Sequence, residues 1–217
     1  MGMKSIKDVY KIGKGPSSSH TMGPFKSVRH YVNHHTQAQK IMVTLYGSLA
    51  ATGKGHLTDW ACEDAFRDGT VVIVWMPKET LPMHPNGMTI GVLEADGSTS
   101  DVWTYYSIGG GDIVCVEHPI ETEGDKEVYE LTTMKDIMDW CNANGKSYWE
   151  YVDERENPEV WEHLGKVWKV MRAAVERGID QEGALPGPLN LRRKASSYFI
   201  RAEGYSDVLR TRGLIFA

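Results

Sequence analysis

The sequence predicts an α/β (α+β) protein: a mixed β-sheet with flanking helices, followed by a helical connector. Three observations carry this expectation. Lys40 to Tyr46 alternates around Ile41, Val43 and Leu45, and Val71-Val72-Ile73-Val74 is a continuous β-branched run. Asp96-Gly97 stands between two strand-like segments, a hairpin signal because tight turns favour residues that accept positive φ. Beyond Leu131 the apolar period lengthens to that of helices, so sheet precedes helix along the chain.

The elements follow in order. Pro24 to His35 sets Phe25, Val28 and Val32 at helical spacing after a loop rich in Gly, Pro and Ser. The strand Lys40 to Tyr46 comes next, and Gly47 ends it. Leu57 to Phe66, with Trp60, Ala61, Ala65 and Phe66, reads as a second short helix, and Gly69 separates it from the valine-rich strand. Met88 to Ala95 and Thr99 to Ser107 form the arms of the hairpin, and Asp112 to Glu117 continues the β pattern. Met134 to Cys141, Ser147 to Glu154 and Pro158 to Glu176 are helical, the last with Trp161, Leu164, Trp168 and Met171 on one face.

Composition excludes several function classes. Of the 217 residues, 41% are apolar and 24% charged, which is an ordinary globular balance. No apolar run approaches the roughly 20 residues needed to span a bilayer, and the first nine residues lack the apolar core of a signal peptide. A cytoplasmic protein without a membrane partner is expected. The net charge of −5 argues against a nucleic-acid surface. Charge is uneven: Glu121 to Glu162 holds 13 acidic and 4 basic residues, whereas Gly165 to Ala217 holds 10 basic and 5 acidic. That asymmetry suggests a boundary near Asn157-Pro158, with one domain over 1–157 and a second segment over 158–217. Cys62, Cys115 and Cys141 are widely spaced and form neither a disulfide framework nor a metal knuckle, so buried free thiols are expected and no metal ligand is assigned.

The chemistry concentrates in the loops. Gly13-Lys14-Gly15-Pro16-Ser17-Ser18-Ser19-His20-Thr21-Met22-Gly23-Pro24 places hydroxyls and a titratable imidazole directly before a helix, where free N–H groups and the helix dipole favour an anion. The same pattern also suits a plain Ser/Thr cap. Gly47 to Gly55 fails as a nucleotide P-loop: five residues separate Gly47 from Gly53, and Gly55 follows Lys54 where Ser or Thr is required. His30 and His34 lack the glutamate of a zincin helix, Tyr31 standing in its place, and read as a solvated face. His56 follows Gly53-Lys54-Gly55, where bare backbone lets a ligand approach. Asn86, in Pro85-Asn86-Gly87, could offer its amide to a ligand or simply make the turn. Tyr105 and Tyr106 are expected to pack on the sheet, and Arg192, Arg193 and Lys194 to precede a helix.

Five motifs in order closely resemble the iron–sulfur L-serine dehydratases. They are the Ser17 to Thr21 loop, Leu45 to Asp59, His84-Pro85-Asn86-Gly87-Met88, Tyr105 to Gly111, and Glu182 to Ala195. Pro188 departs from the family, which usually carries glycine there. The first four resemble that enzyme's β domain, and the last resembles the opening of its catalytic α domain. The resemblance implies a part of an L-serine ammonia-lyase that converts L-serine to pyruvate and ammonia without pyridoxal phosphate. It implies a [4Fe–4S] cluster whose ligands lie outside this chain, an α domain as partner, a homodimer, and no activity from this chain alone. It makes His56 the first candidate for proton transfer and His20 the second, with Ser17, Ser18, Ser19, Thr21, Lys54 and Asn86 toward the substrate. The same domain type resembles the allosteric substrate-binding domain of some phosphoglycerate dehydrogenases, so a regulatory module for serine or another small anion is the alternative. A structural dimerisation domain without ligand is the third.

Overall fold

The computed structural model describes residues 2–120 and 127–203. They divide into two compact units, one over Gly13–Thr122 and one combining Met1–Ile12 with Glu123–Ala217.

The first unit is the sheet unit. Helix α1 (Gly23–His34) precedes strand β1 (Lys40–Tyr46); helices α2 (Gly47–Thr52) and α3 (Thr58–Ala65) lead to β2 (Thr70–Met76). Strands β3 (Gly87–Leu93), β4 (Thr99–Gly109) and β5 (Asp112–Cys115) complete a five-stranded sheet in the order β2-β1-β3-β4-β5. β1 and β2 run parallel, as a helical crossover requires, while β3, β4 and β5 are joined antiparallel by short turns. Gly97 turns the β3–β4 hairpin with φ +86°, and its N–H donates to the carbonyl of Glu94.

Alternation in β1 decides which face is buried. Ile41, Val43 and Leu45 are fully covered, and Val28, Tyr31 and Val32 of α1 pack with them, together with Met88, Ile90 and Tyr105 of the neighbouring strands. Met42, Thr44 and Tyr46 on the opposite face are only half-buried. Burying each of the larger aliphatic side chains contributes about 1.5–3 kcal/mol.

The expected elements of this unit are all present, with differences at their ends. β5 stops at Cys115 rather than Glu117, and Val116 N–H reaches back to the Thr104 carbonyl. The expectation that Gly47 merely ends a strand is incomplete, because Gly47 also opens α2. Its φ is +48°, and a Cβ there would lie 2.7 Å from the Pro85 carbonyl oxygen, so both backbone and space demand glycine.

The second unit joins the N-terminal segment to helices α4 (Met134–Asn144), α5 (Tyr148–Arg155), α6 (Glu159–Asp180) and α7 (Ala195–Glu203). Its anchor is the Glu156 carboxylate, which accepts from Ser5 Oγ at 2.8 Å, Ile6 N–H at 2.7 Å and Tyr129 Oη at 2.7 Å. Ser147 and Glu150 form a capping box on α5, and Gly145 closes α4 in the left-handed region. On α6 burial falls on small residues. Val160 and Val167 are buried, whereas Trp161, Trp168 and Met171 are 41%, 62% and 51% exposed. No helix among the described residues is long and apolar enough to cross a membrane.

Gly47→Ala is expected to lower stability by more than about 1 kcal/mol, because it adds a backbone penalty to a steric clash. Chemical denaturation monitored by circular dichroism checks this; an unchanged midpoint would refute the close-approach argument.

Candidate functional site

The Ser-rich loop is itself helical. Ser18–Met22 forms one π-type turn that runs directly into α1, so the helix begins earlier than the sequence suggests. Ser17 caps it: its Oγ accepts from His20 N–H at 3.1 Å, and its carbonyl accepts from the N–H groups of Thr21 and Met22. Only Gly fits at position 23, where a Cβ would collide with Ser107 Oγ on β4.

His20 is held from every side. Its Nδ1 is 2.9 Å from Ser19 Oγ, and its Nε2 is 3.0 Å from Ser48 Oγ in the first turn of α2. Partial burial, and then the nearby His56, push its pKa below the usual histidine value, while the Ser48 hydrogen bond opposes that shift.

His56 lies with its ring centroid 4.7 Å from that of His20. Its Nδ1 is 3.0 Å from the Thr52 carbonyl oxygen, which can only accept. The neutral ring therefore carries its proton on Nδ1, and the lone pair is on Nε2.

The two histidine loops are laced together by reciprocal bonds. Thr21 Oγ1 donates to the His56 carbonyl at 2.8 Å, and Thr58 Oγ1 donates to the His20 carbonyl at 2.6 Å. Both threonines are at most 1% exposed. Leu57 between His56 and Thr58 has φ +57°, a strained value for a leucine.

The six other residues singled out from the sequence are placed differently. Ser17 and Ser19 act on the loop and on His20 as described. Ser18 lies in the first turn, where its carbonyl accepts from Gly23 N–H. Thr21 is buried, with its hydroxyl taken by the His56 carbonyl. Asn86 sits beside β4: its Nδ2 is 3.4 Å from the Ser107 carbonyl, and Ser107 N–H donates to the Asn86 carbonyl at 3.0 Å. Lys54 is exposed, with Nζ 5.8 Å from the centre of the Trp75 ring.

Two participants escape sequence reading. Ser48 is 28 positions from the histidine it touches, and its only local signal is its place after Gly47 at a strand end. Thr58 resembles an ordinary helix cap until its hydroxyl is seen to cross to another loop. Of the two histidines expected on a solvated face, His34 is exposed as expected, whereas His30 is half-buried with Nδ1 2.9 Å from Tyr105 Oη; both rings lie near Trp103. Tyr105 and Tyr106 are buried in the sheet, as expected.

Thr58→Val keeps the shape and removes one lacing bond. It is expected to cost about 1–3 kcal/mol by leaving the His20 carbonyl without that donor. Thr21→Val should do the same, and the double variant should be less than additive because the two bonds hold the same pair of loops. Denaturant midpoints check this; full additivity would separate the two bonds.

The depressed pKa of His20 has a defined sign. The unfolded chain binds a proton near pH 6.5, while the folded chain resists it until lower pH, so stability falls on acidification through that window. His20→Gln should flatten this part of the stability–pH curve below about pH 6.5. An unchanged slope would show that His20 titrates normally.

Residues 5–67 and 63–118 match the family described as serine dehydratase beta chain. Among curated proteins, the chain is 34% identical to the L-serine dehydratase of Haemophilus influenzae, over 91% of this chain and 54% of that protein. It is 33% identical to L-serine dehydratase 2 of Escherichia coli, over 90% of this chain and 53% of that protein. For the L-serine dehydratase of Streptomyces coelicolor the identity is 31%, over 94% of this chain and 56% of that protein. The chain thus spans about half the length of the curated relatives it matches. The matched residues take in the whole histidine–serine–threonine site, and the chain belongs to the serine dehydratase beta chain family.

Proposed function

We propose that this chain supplies the proton-transfer and carboxylate-binding groups of an L-serine ammonia-lyase, with L-serine as substrate and pyruvate and ammonia as products. Under this reading residues 1–157 form the β domain, and 158–217 form a helical connector with the opening of the catalytic α domain. The protein acts in the cytoplasm. The observation that carries the reading is the His56 ring, whose Nδ1–H is tied to Thr52 and whose Nε2 lone pair is thereby available as a base.

His56 Nε2 takes the α-proton of serine, the Cβ–O bond breaks, and the departing hydroxide takes up the proton now on His56 and leaves as water. The resulting aminoacrylate tautomerises to an imine that a second water hydrolyses to pyruvate and ammonia. His20, with both ring nitrogens engaged by hydroxyls and its protonation disfavoured, acts as a neutral neighbour that keeps His56 in place. The substrate carboxylate meets the start of the helical turn, where the N–H groups of Ser18 and Ser19 precede the first intrahelical bonds and the hydroxyls of the same two serines donate beside them. Thr21 acts through the His56 carbonyl rather than on substrate. Lys54 and Asn86 serve at the rim.

The family implies a [4Fe–4S] cluster, and the described residues do not fit one. Cys62, Cys115 and Cys141 are each buried in separate elements, and no group of three His, Cys, Asp or Glu among the described residues could hold a metal ion. The proposal therefore assigns the cluster ligands to an α domain outside this chain.

Combined with a separately produced cluster-bearing α domain, the chain is expected to restore pyruvate formation. His56→Ala should lower kcat by about 10²-fold or more. Ser18→Ala and Ser19→Ala should raise KM by about tenfold, as loss of a charge-assisted hydrogen bond would. If serine shifts the His20 and His56 ring signals but no variant alters turnover, the regulatory reading replaces this one.

A further inference from the structure

Helix α1 carries two imidazoles that the lyase reading leaves unused. His30 and His34 are one helical turn apart on the same face, with ring centroids 4.6 Å apart and planes tilted by 46°. Each ring is tied down through Nδ1 alone. His34 Nδ1 is 2.9 Å from the His30 carbonyl oxygen, which can only accept, so the neutral ring keeps its proton there and its lone pair on Nε2. His30 Nδ1 is 2.9 Å from Tyr105 Oη, a hydroxyl able to accept that ring's N–H in the same way. Neither Nε2 has a hydrogen-bond partner among the described residues. Other neighbouring histidines lack this freedom. The His20 and His56 rings are 4.7 Å apart, but serine hydroxyls engage both nitrogens of His20. His35 commits Nδ1 to the Tyr31 carbonyl and Nε2 to the Asp101 carboxylate. His118, 6.0 Å from His34 between centroids, is stacked on Trp103 at 3.8 Å.

We propose that His30 Nε2 and His34 Nε2 chelate one divalent late-transition-metal ion, nickel(II) or copper(II), with water filling its remaining positions. Three features select this ligand. The first is the outer support: metal-binding imidazoles characteristically hold their second nitrogen on a carbonyl or similar group, which fixes tautomer and ring orientation. Here the His30 carbonyl and the fully buried Tyr105 supply it. The second is spacing. With metal–nitrogen bonds of about 2.0–2.1 Å, two imidazoles at about 90° around one ion hold their ring centres roughly 4.5 Å apart. The observed 4.6 Å matches that right angle, which belongs to the tetragonal shells of copper(II) and nickel(II). Tetrahedral zinc opens the angle and would set the rings farther apart. The third is donor type: neutral imidazole nitrogens suit these two metals, which stand high in the divalent affinity order. With two protein ligands on one turn of helix, the site is open and the ion exchanges with solvent. It lies beside Trp103, whose ring centroid is 6.0 Å from that of His30 and 5.4 Å from that of His34.

The test is a titration of the 217-residue chain with nickel(II) chloride, followed by calorimetry and by tryptophan fluorescence. One ion per chain is expected, with quenching of the emission component that Trp103→Phe removes. His34→Ala alters an exposed side chain, so the fold should persist by circular dichroism while binding weakens by about tenfold or more. His30→Ala should do the same. Tyr105→Phe removes the hydroxyl that orients His30 and should weaken binding by about tenfold, an effect that an unsupported pair of surface histidines would not show. Equal affinity in the wild type and His34→Ala, or Trp103 quenching that survives His34→Ala, would mean an adventitious ion only and would overturn the proposal. A folded Tyr105→Phe that binds nickel as tightly as the wild type would overturn it as well, because the support that makes the pair a site would then be idle. These measurements involve neither substrate nor turnover, so they stand or fall apart from the lyase reading.

Discussion

The site depends on a reciprocal exchange between two threonines. His20 and His56 are 36 positions apart and sit on different loops, yet each presents its backbone carbonyl to a threonine from the other loop. Because both threonines are buried, breaking either bond leaves a hydroxyl without its acceptor inside the protein and a carbonyl without its donor. Backbone is thereby fixed before any side chain is placed. The imidazole rings then need only short-range hydroxyl or carbonyl contacts to acquire a defined tautomer and spacing. Strain at Leu57 is the local accompaniment of this arrangement, held because Thr58 N–H and Oγ1 both have firm partners, the Gly53 and His20 carbonyls.

The sheet presents these loops at one end. β1 delivers Gly47 and Ser48, the segment before β3 delivers Pro85 and Asn86, and β4 delivers Ser107. Glycine at 47 lets the chain reverse from strand to helix within touching distance of the Pro85 carbonyl, which also accepts from Ser48 N–H. Glycine at 23 does the corresponding work for α1 against Ser107. A side chain at Gly23 would press on β4 at Ser107, and one at Gly47 on the segment that delivers Pro85.

Much of this was legible in the sequence, and the remainder was hidden for definable reasons. Alternation gave β1 to the residue, since Ile41, Val43 and Leu45 face a core with nothing ambiguous around them. α2 went unread because six residues of Gly, Ser, Ala and Thr carry too little apolar pattern to show a period. On α6 the period was legible, but which residues it buries was not: Val160 and Val167 are covered, while the tryptophans at 161 and 168 are exposed. In the site, histidines and serines could be listed by type, but Ser48 and Thr58 act through contacts 28 and 38 positions long, which no local spacing encodes. Thr21 shows the converse, a residue of the right type whose hydroxyl is directed inward to the backbone.

The distribution of sulfur has a practical corollary. Cys62 and Cys115 lie in the core of the sheet unit, and Cys141 lies in the small cluster of the helical unit beside Tyr151. Burial, followed by the carboxylates of Asp59 and Glu63, raises the pKa of Cys62 far above that of a free thiol, and burial also raises that of Cys115. A folded thiol so placed reacts with alkylating reagents only when its surroundings open. Each unit consequently contains its own internal clock. The rate at which Cys141 is modified reports opening of the helical unit, and the rates at Cys62 and Cys115 report opening of the sheet unit, from one sample and without any introduced label.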